Sequence, residues 1–142
     1  MTRTETRELT FELLYSLEIQ KMEQEEYNEQ IELFLTQQNI TDEKAKIYII
    51  ETVNGIEQNK EKILESISQN LKEKWDISRV SKINLTLLKL ATYEIIYTQL
   101  PYKVVVNEAV EIAKKYGDDT SPSFINGILA NIIKQTGITN EE

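Results

Sequence analysis

Carboxylates are the side chains of this sequence that could serve the broadest range of chemical roles. The chain contains neither histidine nor cysteine, so it lacks the usual neutral-pH general base, a thiolate nucleophile and the commonest zinc ligands. Glu108 and Glu111 lie three residues apart and share a helix face, and Glu94 lies among apolar residues. Because carboxylate metal sites in helical bundles normally add histidine, we interpret the pair as a solvated face and Glu94 as a structural group. The sequence therefore predicts no enzyme, no metal and no cofactor.

A second set of residues combines positive charge with aromatic rings near the amino terminus. Arg3, Arg7, Phe11 and Tyr15 recur every four residues and so form one stripe along a helix. Two guanidinium groups beside two rings could hold the phosphates and unstacked bases of single-stranded RNA. The alternative is that the rings widen the core while the arginines are solvated, and composition alone favours that alternative.

Basic and aromatic residues recur near the carboxyl terminus. Lys114 and Lys115 end a predicted helix, where lysines also suit the negative end of the helix dipole. Lys103 lies near the start of the same helix, where the dipole does not explain it. Phe124 follows the next loop, and its apolar neighbours favour a core position over an exposed one. None of these residues requires a ligand by itself.

The overall charge argues against a protein that binds nucleic acid non-specifically. The net charge is −8, from 24 acidic and 16 basic residues, which opposes a polyanion. Acidic residues concentrate within Glu18–Glu32, whereas residues 75–142 hold 7 basic and 8 acidic residues. A basic strip elsewhere is therefore not forbidden. Since the chain shows no signal peptide and no run of about 18 apolar residues, we expect a cytoplasmic protein without a membrane span.

Helices must position these side chains. The chain has 142 residues with only 4 glycines and 2 prolines, which favours a single domain of long helices. The helical spacing of apolar residues predicts an all-α bundle of about seven helices. We expect one domain over residues 1–142, with helices 1–3 at about 4–58 and helices 4–7 at about 59–136.

A few residues are predicted to begin or end these helices. Asn39 is expected to end the second helix, and Thr41 or Asp42 to cap the third. Gly117 fits a left-handed position after the sixth helix. Ser121 is expected to be the N-cap of the seventh.

Several stretches resemble the NusB family of transcription antitermination factors. The resemblance follows the chain in order and covers almost all of it. The matching segments are Arg7-Glu8 with Leu14-Tyr15, Val53–Ile56 with Asn59, Leu88–Glu94, Leu100–Lys114, Gly117, Ser121-Pro122 and Phe124–Leu129. The resemblance implies an all-helical fold of two small subdomains and a protein that is not an enzyme.

The resemblance also implies a function and a set of site residues. The implied function is binding of boxA-type RNA in nascent ribosomal RNA transcripts. It acts together with NusE, a ribosomal small-subunit protein, in a complex that keeps RNA polymerase from terminating. The predicted RNA-binding residues are Arg3, Arg7, Tyr15, Lys103, Lys114, Lys115 and Phe124. The predicted partner-binding residues are Trp75, Asn84, Leu85 and Thr120.

Departures from the family pattern keep alternatives open. Thr4 and Glu5 stand where basic residues are usual, and Ser123 replaces a frequent lysine. Together with the net charge, this favours as an alternative a helical protein-interaction module with little RNA affinity of its own. The RNA-binding domain of an rRNA cytosine methyltransferase is a remote third reading, because the chain has no catalytic cysteine. The sequence does not decide whether the chain forms a homodimer.

Overall fold

The computed structural model describes residues 1–72 and 76–138, and within them the chain is built from α-helices. The seven helices are α1 (Arg3–Gln20), α2 (Tyr27–Gln37), α3 (Glu43–Gln58), α4 (Lys60–Gln69), α5 (Lys82–Tyr97), α6 (Tyr102–Tyr116) and α7 (Ser121–Thr136). Short 3-10 turns at Gln24–Glu26 and Ile77–Arg79 precede α2 and α5. The predicted all-α class is confirmed. The structure divides into two compact units, the first ending at Gln58, and the single domain over residues 1–142 stays a prediction.

The first unit contains α1, α2 and α3 around a small apolar core. Each helix contributes residues at helical spacing, because one face of each must leave water. The buried core residues are Leu13, Leu17, Ile31, Leu35, Ile40, Ala45, Ile49 and Val53. Asn39 ends α2 as predicted, in the left-handed region at φ 53°. Asp42 caps α3, since its Oδ1 accepts from the N–H groups of Lys44 at 3.0 Å and Ala45 at 3.2 Å.

The second unit contains α4 to α7, with α5 in contact with the other three helices. This helix is the most apolar, and its buried side chains form the centre of the unit. They include Leu87, Leu88, Leu90, Ala91 and Ile95. As a result, α6 and α7 pack on α5 and on each other, with their polar sides outward.

Neutral amides join α4 to α7 at the surface of this unit. Gln135 Nε2 donates to Gln69 Oε1 at 2.7 Å, and its Oε1 accepts from Asn70 Nδ2 at 2.7 Å. We call these three residues the amide clasp. It links the ends of two helices that are far apart in sequence.

The turn before α7 differs from the prediction. Gly117 has φ −91°, so it is not left-handed. A Cβ on Gly117 would instead overlap the side chain of Ser121, which explains why glycine is needed there. Ser121 is the first residue of α7, with Thr120 at the N-cap position. The expected capping role of Ser121 is therefore wrong: its Oγ accepts from the N–H of Asp118 at 3.1 Å and ties the turn together.

Asp118 organises the same turn. Its Oδ1 accepts hydrogen bonds from the Oγ1 of Thr120 at 2.6 Å and from the N–H of Thr120 at 2.8 Å. These hydrogen bonds, led by the one from the Thr120 hydroxyl, lower the pKa of the Asp118 carboxyl below its usual value. The ionised form of Asp118 therefore stabilises the start of α7.

Candidate nucleic-acid interface

The arginine–aromatic stripe on α1 is only partly at the surface. Arg3 is exposed and Tyr15 is half-buried, whereas Arg7 and Phe11 are each 1% exposed. The burial of Phe11 agrees with the alternative in which the rings widen the core, whereas both interpretations placed Arg7 at the surface and the structure buries it. The Phe11 and Tyr15 rings stack with centroids 6.1 Å apart at 20°.

Arg7 is buried because the face of α1 that is removed from solvent is wide. Thr6 and Thr10 are buried beside it, and their hydroxyls are satisfied within the helix. Thr6 Oγ1 donates to the Thr2 carbonyl at 2.9 Å, and Thr10 Oγ1 to the Thr6 carbonyl at 2.8 Å. Arg7 also interacts with another residue, as a buried charge must. Its guanidinium is thus part of the folded interior.

Arg3 lies at a small cleft between α1 and α3. The cleft has a volume of about 290 Å³ and is lined by Met1, Arg3, Thr6, Asp42, Lys44, Ala45 and Tyr48. The Met1 ammonium lies 3.4 Å from Asp42 Oδ2, and hydrogen bonds from Ala45 and this ammonium lower the Asp42 pKa. The sequence did not associate Lys44 or Tyr48 with Arg3, because residues so far apart along the chain give no signal of proximity.

The two lysines that end α6 are exposed. Lys114 Nζ lies 2.9 Å from Glu111 Oε2, and both side chains are more than half exposed. Such a pair contributes at most about 1 kcal/mol, so it does not hold Lys114 away from an anion. Lys115 Nζ lies 5.5 Å from the centroid of the Tyr116 ring, a cation–π distance. Tyr116 is therefore a further aromatic residue beside the predicted cations.

Phe124 and Thr120 line one groove of the second unit. This Phe124 groove has a volume of about 580 Å³. Its lining residues are Asn70, Leu71, Lys72, Thr120, Ser123, Phe124, Gly127, Ile128, Ala130 and Asn131. Phe124 is half-buried and is one of the residues that line this groove. The groove brings a predicted RNA-binding residue next to a predicted partner-binding residue.

Lys103 lines a different groove, between α6 and α7. This Lys103 groove has a volume of about 470 Å³. Its lining residues are Tyr102, Lys103, Val106, Asn107, Asn126, Ala130, Ile133 and Lys134. Ala130 is exposed and lines both grooves, so the two grooves adjoin at this residue of α7.

The remaining predicted partner-binding residues are less accessible. Asn84 is 9% exposed, because it lies on the buried side of the first turn of α5, where its N–H donates to Ser81 Oγ at 3.1 Å. Leu85 is half-buried. Trp75 lies outside the described residues. Thr120 is thus the most exposed of the predicted partner-binding residues that the structure describes.

The carboxylates assemble no metal site in the part of the chain that is described. No group of three acidic residues there could hold a metal ion. Glu94 is 1% exposed and interacts with another residue, which agrees with the predicted structural role. In the same ranges, no helix has the length and apolarity to cross a membrane.

Comparison with known proteins gives one consistent result. The profile of the NusB family matches residues 4–134. The Transcription antitermination protein NusB of Clostridium novyi is 47% identical over 136 residues, which cover 94% of this chain and 99% of the relative. The solved structure of T. maritima NusB superposes with a TM-score of 0.81 at 34% identity, covering 95% of this chain and 92% of that one. The crystal structure of antitermination factors NusB and NusE in complex with dsRNA shows the same fold, with a TM-score of 0.82, 24% identity and coverage of 95% and 99%. The chain therefore belongs to the NusB family.

Proposed function

We propose that this protein is an RNA-binding transcription antitermination factor. It binds boxA-type RNA of nascent ribosomal RNA transcripts together with NusE and helps RNA polymerase to avoid termination. The observation that carries the proposal is family membership over residues 4–134, with a Clostridium novyi relative of that name at 47% identity. We propose a binding role without catalysis, exercised in the cytoplasm.

The exposed cations provide the proposed phosphate contacts. Arg3, Lys103, Lys114 and Lys115 are all exposed, and an ammonium or guanidinium group that neutralises a phosphate releases counterions. Tyr15 and Phe124 are half-buried and would stack bases with their accessible faces. Arg7 supports this surface from within the fold. The proposed RNA-contacting residues are those predicted from the sequence, except that Arg7 has a positioning role.

The partner contacts are proposed at the Phe124 groove. Thr120 lines it, and Phe124 belongs to the same lining, so a protein bound at Thr120 would adjoin RNA bound at Phe124. Leu85 and Asn84 lie on α5 and do not line this groove, so they are proposed as partner contacts on the resemblance alone. Trp75 is proposed as a further contact on the resemblance alone.

The net charge of −8 predicts that RNA binding depends on the partner. A body of this charge repels a polyanion at long range, so the ribosomal partner would supply much of the positive charge. We therefore expect tight binding of RNA by the pair and weak binding by the protein alone.

A gel-shift titration of boxA RNA across a salt series, with and without NusE, tests the proposal. We expect retention by the pair at low salt, and a linear fall of log affinity with log salt concentration. A scrambled RNA of equal length is the control. Failure of the pair to retain boxA RNA at low salt would contradict the proposed function. Equal, tight binding without NusE would contradict the partner dependence and exclude the interaction-module alternative.

A further inference from the structure

The Lys103 groove has the size of a site for one small ligand. Its volume of about 470 Å³ falls in the range of roughly 300–1,000 Å³ that is usual for such sites. The groove follows directly from sequence spacing. On α7, Asn126, Ala130 and Ile133 lie on one face at positions i, i+4 and i+7, and Val106 and Asn107 face them from α6.

The charge of the groove favours an anion. Lys103 and Lys134 are both exposed, and its lining contains no acidic residue. The two lysines therefore give the groove a local positive charge within a protein of net charge −8. Lys134 also suits the carboxyl-terminal end of α7, but the helix dipole does not explain why a second lysine from α6 lines the same groove.

The uncharged lining suits a planar group with polar edges. Val106 and Ile133 are half-buried and form an apolar floor beside Ala130. Asn107 and Asn126 are exposed, and each amide offers donors and an acceptor. No hydrogen bond among the described residues uses either of these amide side chains, so both remain available. Tyr102, half-buried at the same groove, presents an aromatic ring.

We propose that the Lys103 groove binds one unstacked nucleotide of single-stranded RNA. The phosphate lies between Lys103 and Lys134, the base lies against the apolar floor and the Tyr102 ring, and Asn107 and Asn126 hydrogen-bond to its edge. Single-stranded RNA is recognised by this combination of backbone charge, aromatic contact and base-edge hydrogen bonds. The inference rests on the proposed function and extends it, because Lys134, Asn107 and Asn126 are new RNA contacts.

An acidic peptide fits the groove less well. A helix bound in a groove needs apolar anchors over about two turns, and the apolar floor here consists of three side chains. The two amides would also be left to face an apolar helix surface, where a polar group without a hydrogen bond is costly. The lining therefore favours a nucleotide over a peptide.

Alanine variants of the new contacts test the proposal in the complex with NusE. Lys134→Ala should weaken binding of boxA RNA carrying a few extra nucleotides at each end by about 3- to 10-fold, and should reduce the salt slope by about one. Asn126→Ala should weaken binding by about 3- to 10-fold and leave the salt slope unchanged, because it removes an uncharged contact. Lys134→Arg should retain the slope.

A matched lysine outside the groove provides the control. Lys62 is exposed on α4 and lines none of the three clefts described above, so Lys62→Ala should bind RNA like the unchanged protein. Because all substituted residues are exposed, thermal melts should show an unchanged fold. If the unchanged protein binds RNA while both Lys134→Ala and Asn126→Ala bind equally well, the groove proposal is wrong. If the unchanged pair binds no RNA, the proposed function itself is wrong.

Photocrosslinking gives a second, direct measurement. RNA with 4-thiouridine placed in turn at each position of the extended boxA RNA should, at one position, give an adduct on a peptide of α6 or α7 that lines the Lys103 groove. Asn126→Ala should reduce the yield of that adduct specifically. Adducts confined to other helices would overturn the proposal even if affinity changed.

Discussion

Gly117 shows at the scale of one residue how a tight contact fixes a residue type. Its backbone conformation suits any amino acid, but a Cβ there would overlap the side chain of Ser121 and approach the Ala113 carbonyl. Ser121 is 2% exposed, so it has little room to move. The need for glycine at this position arises from contact with α7.

Gly117→Ala should therefore destabilise the fold. We expect a loss of about 1–3 kcal/mol, the usual cost of overpacking a close contact, measured by urea unfolding. Gly127→Ala is the matched control, because a Cβ at Gly127 meets nothing within 4 Å. That substitution lies inside α7 and should stabilise by about 0.5–1 kcal/mol, since alanine loses less entropy in a helix. Equal stability of the two variants would contradict this explanation.

Substitution of Arg7 should mainly affect stability, whereas substitution of Arg3 should mainly affect RNA binding. Because Arg7 is 1% exposed, Arg7→Ala should cost on the order of 2–4 kcal/mol of unfolding free energy through lost packing and a disrupted buried charge. Arg3→Ala should leave the thermal midpoint almost unchanged, because Arg3 is exposed, but should reduce the salt slope of RNA binding by about one. Circular dichroism melts and the gel-shift series measure the two effects. A fully stable Arg7→Ala protein with weakened RNA binding would show instead that Arg7 contacts RNA.

These residues show where sequence patterns are informative. Asn39 was predicted as a helix end, and it has φ 53°, a left-handed geometry that asparagine tolerates. The stripe from Arg3 to Tyr15 was correctly placed on one helix, but spacing alone does not give the width of the buried face. The burial of Arg7 and the contact between Gly117 and Ser121 depend on tertiary packing, which the local pattern does not encode.

At the scale of elements, the turn before α7 should make the protein sensitive to acid. Hydrogen bonds from Thr120 lower the pKa of Asp118 in the fold. The unfolded chain therefore binds this proton more readily, so the contribution of Asp118 is present above its ordinary pKa and is lost as pH falls through the lower folded value. Asp118→Ala should lower the thermal midpoint of unfolding at about pH 7. The difference in midpoint between this variant and the unchanged protein should shrink towards about pH 2.

Asp119 provides the control for this pH dependence. Asp119 is exposed in the same turn, one residue after Asp118. Asp119→Ala therefore changes the net charge by the same amount as Asp118→Ala. We expect its thermal midpoint to follow that of the unchanged protein at both pH values. An equal destabilisation by both substitutions would assign the effect to net charge, and not to the hydrogen bonds of Asp118.

Helix identity and order were predictable from the sequence, whereas the grooves were not. Apolar spacing predicted the run of helices, and α5 contacts α4, α6 and α7. Lys103 was selected as a cation, but Lys134 was not, because nothing in a linear pattern places Asn126 and Lys134 opposite Lys103. The same limit explains why Lys44 was not associated with Arg3.

For the whole molecule, the distribution of charge matters more than its sum. Burial, and then the carboxylates of Glu57, Glu18 and Glu23, raise the pKa of Tyr27 in the first unit to about 12. In the second unit, by contrast, the Lys103 groove contains two lysines and no acid. An acidic protein can therefore offer a local site for a polyanion. The net charge was evident from composition, but this local contrast required the packing of α6 on α7.

The amide clasp has a consequence for any experiment on this protein in concentrated electrolyte. Its three side chains, Gln69, Asn70 and Gln135, are all uncharged, and screening acts on charges. Added sodium chloride should thus detach an anionic ligand without loosening the link between the ends of α4 and α7. The protein released in this way should keep that link and be ready to bind again after dilution.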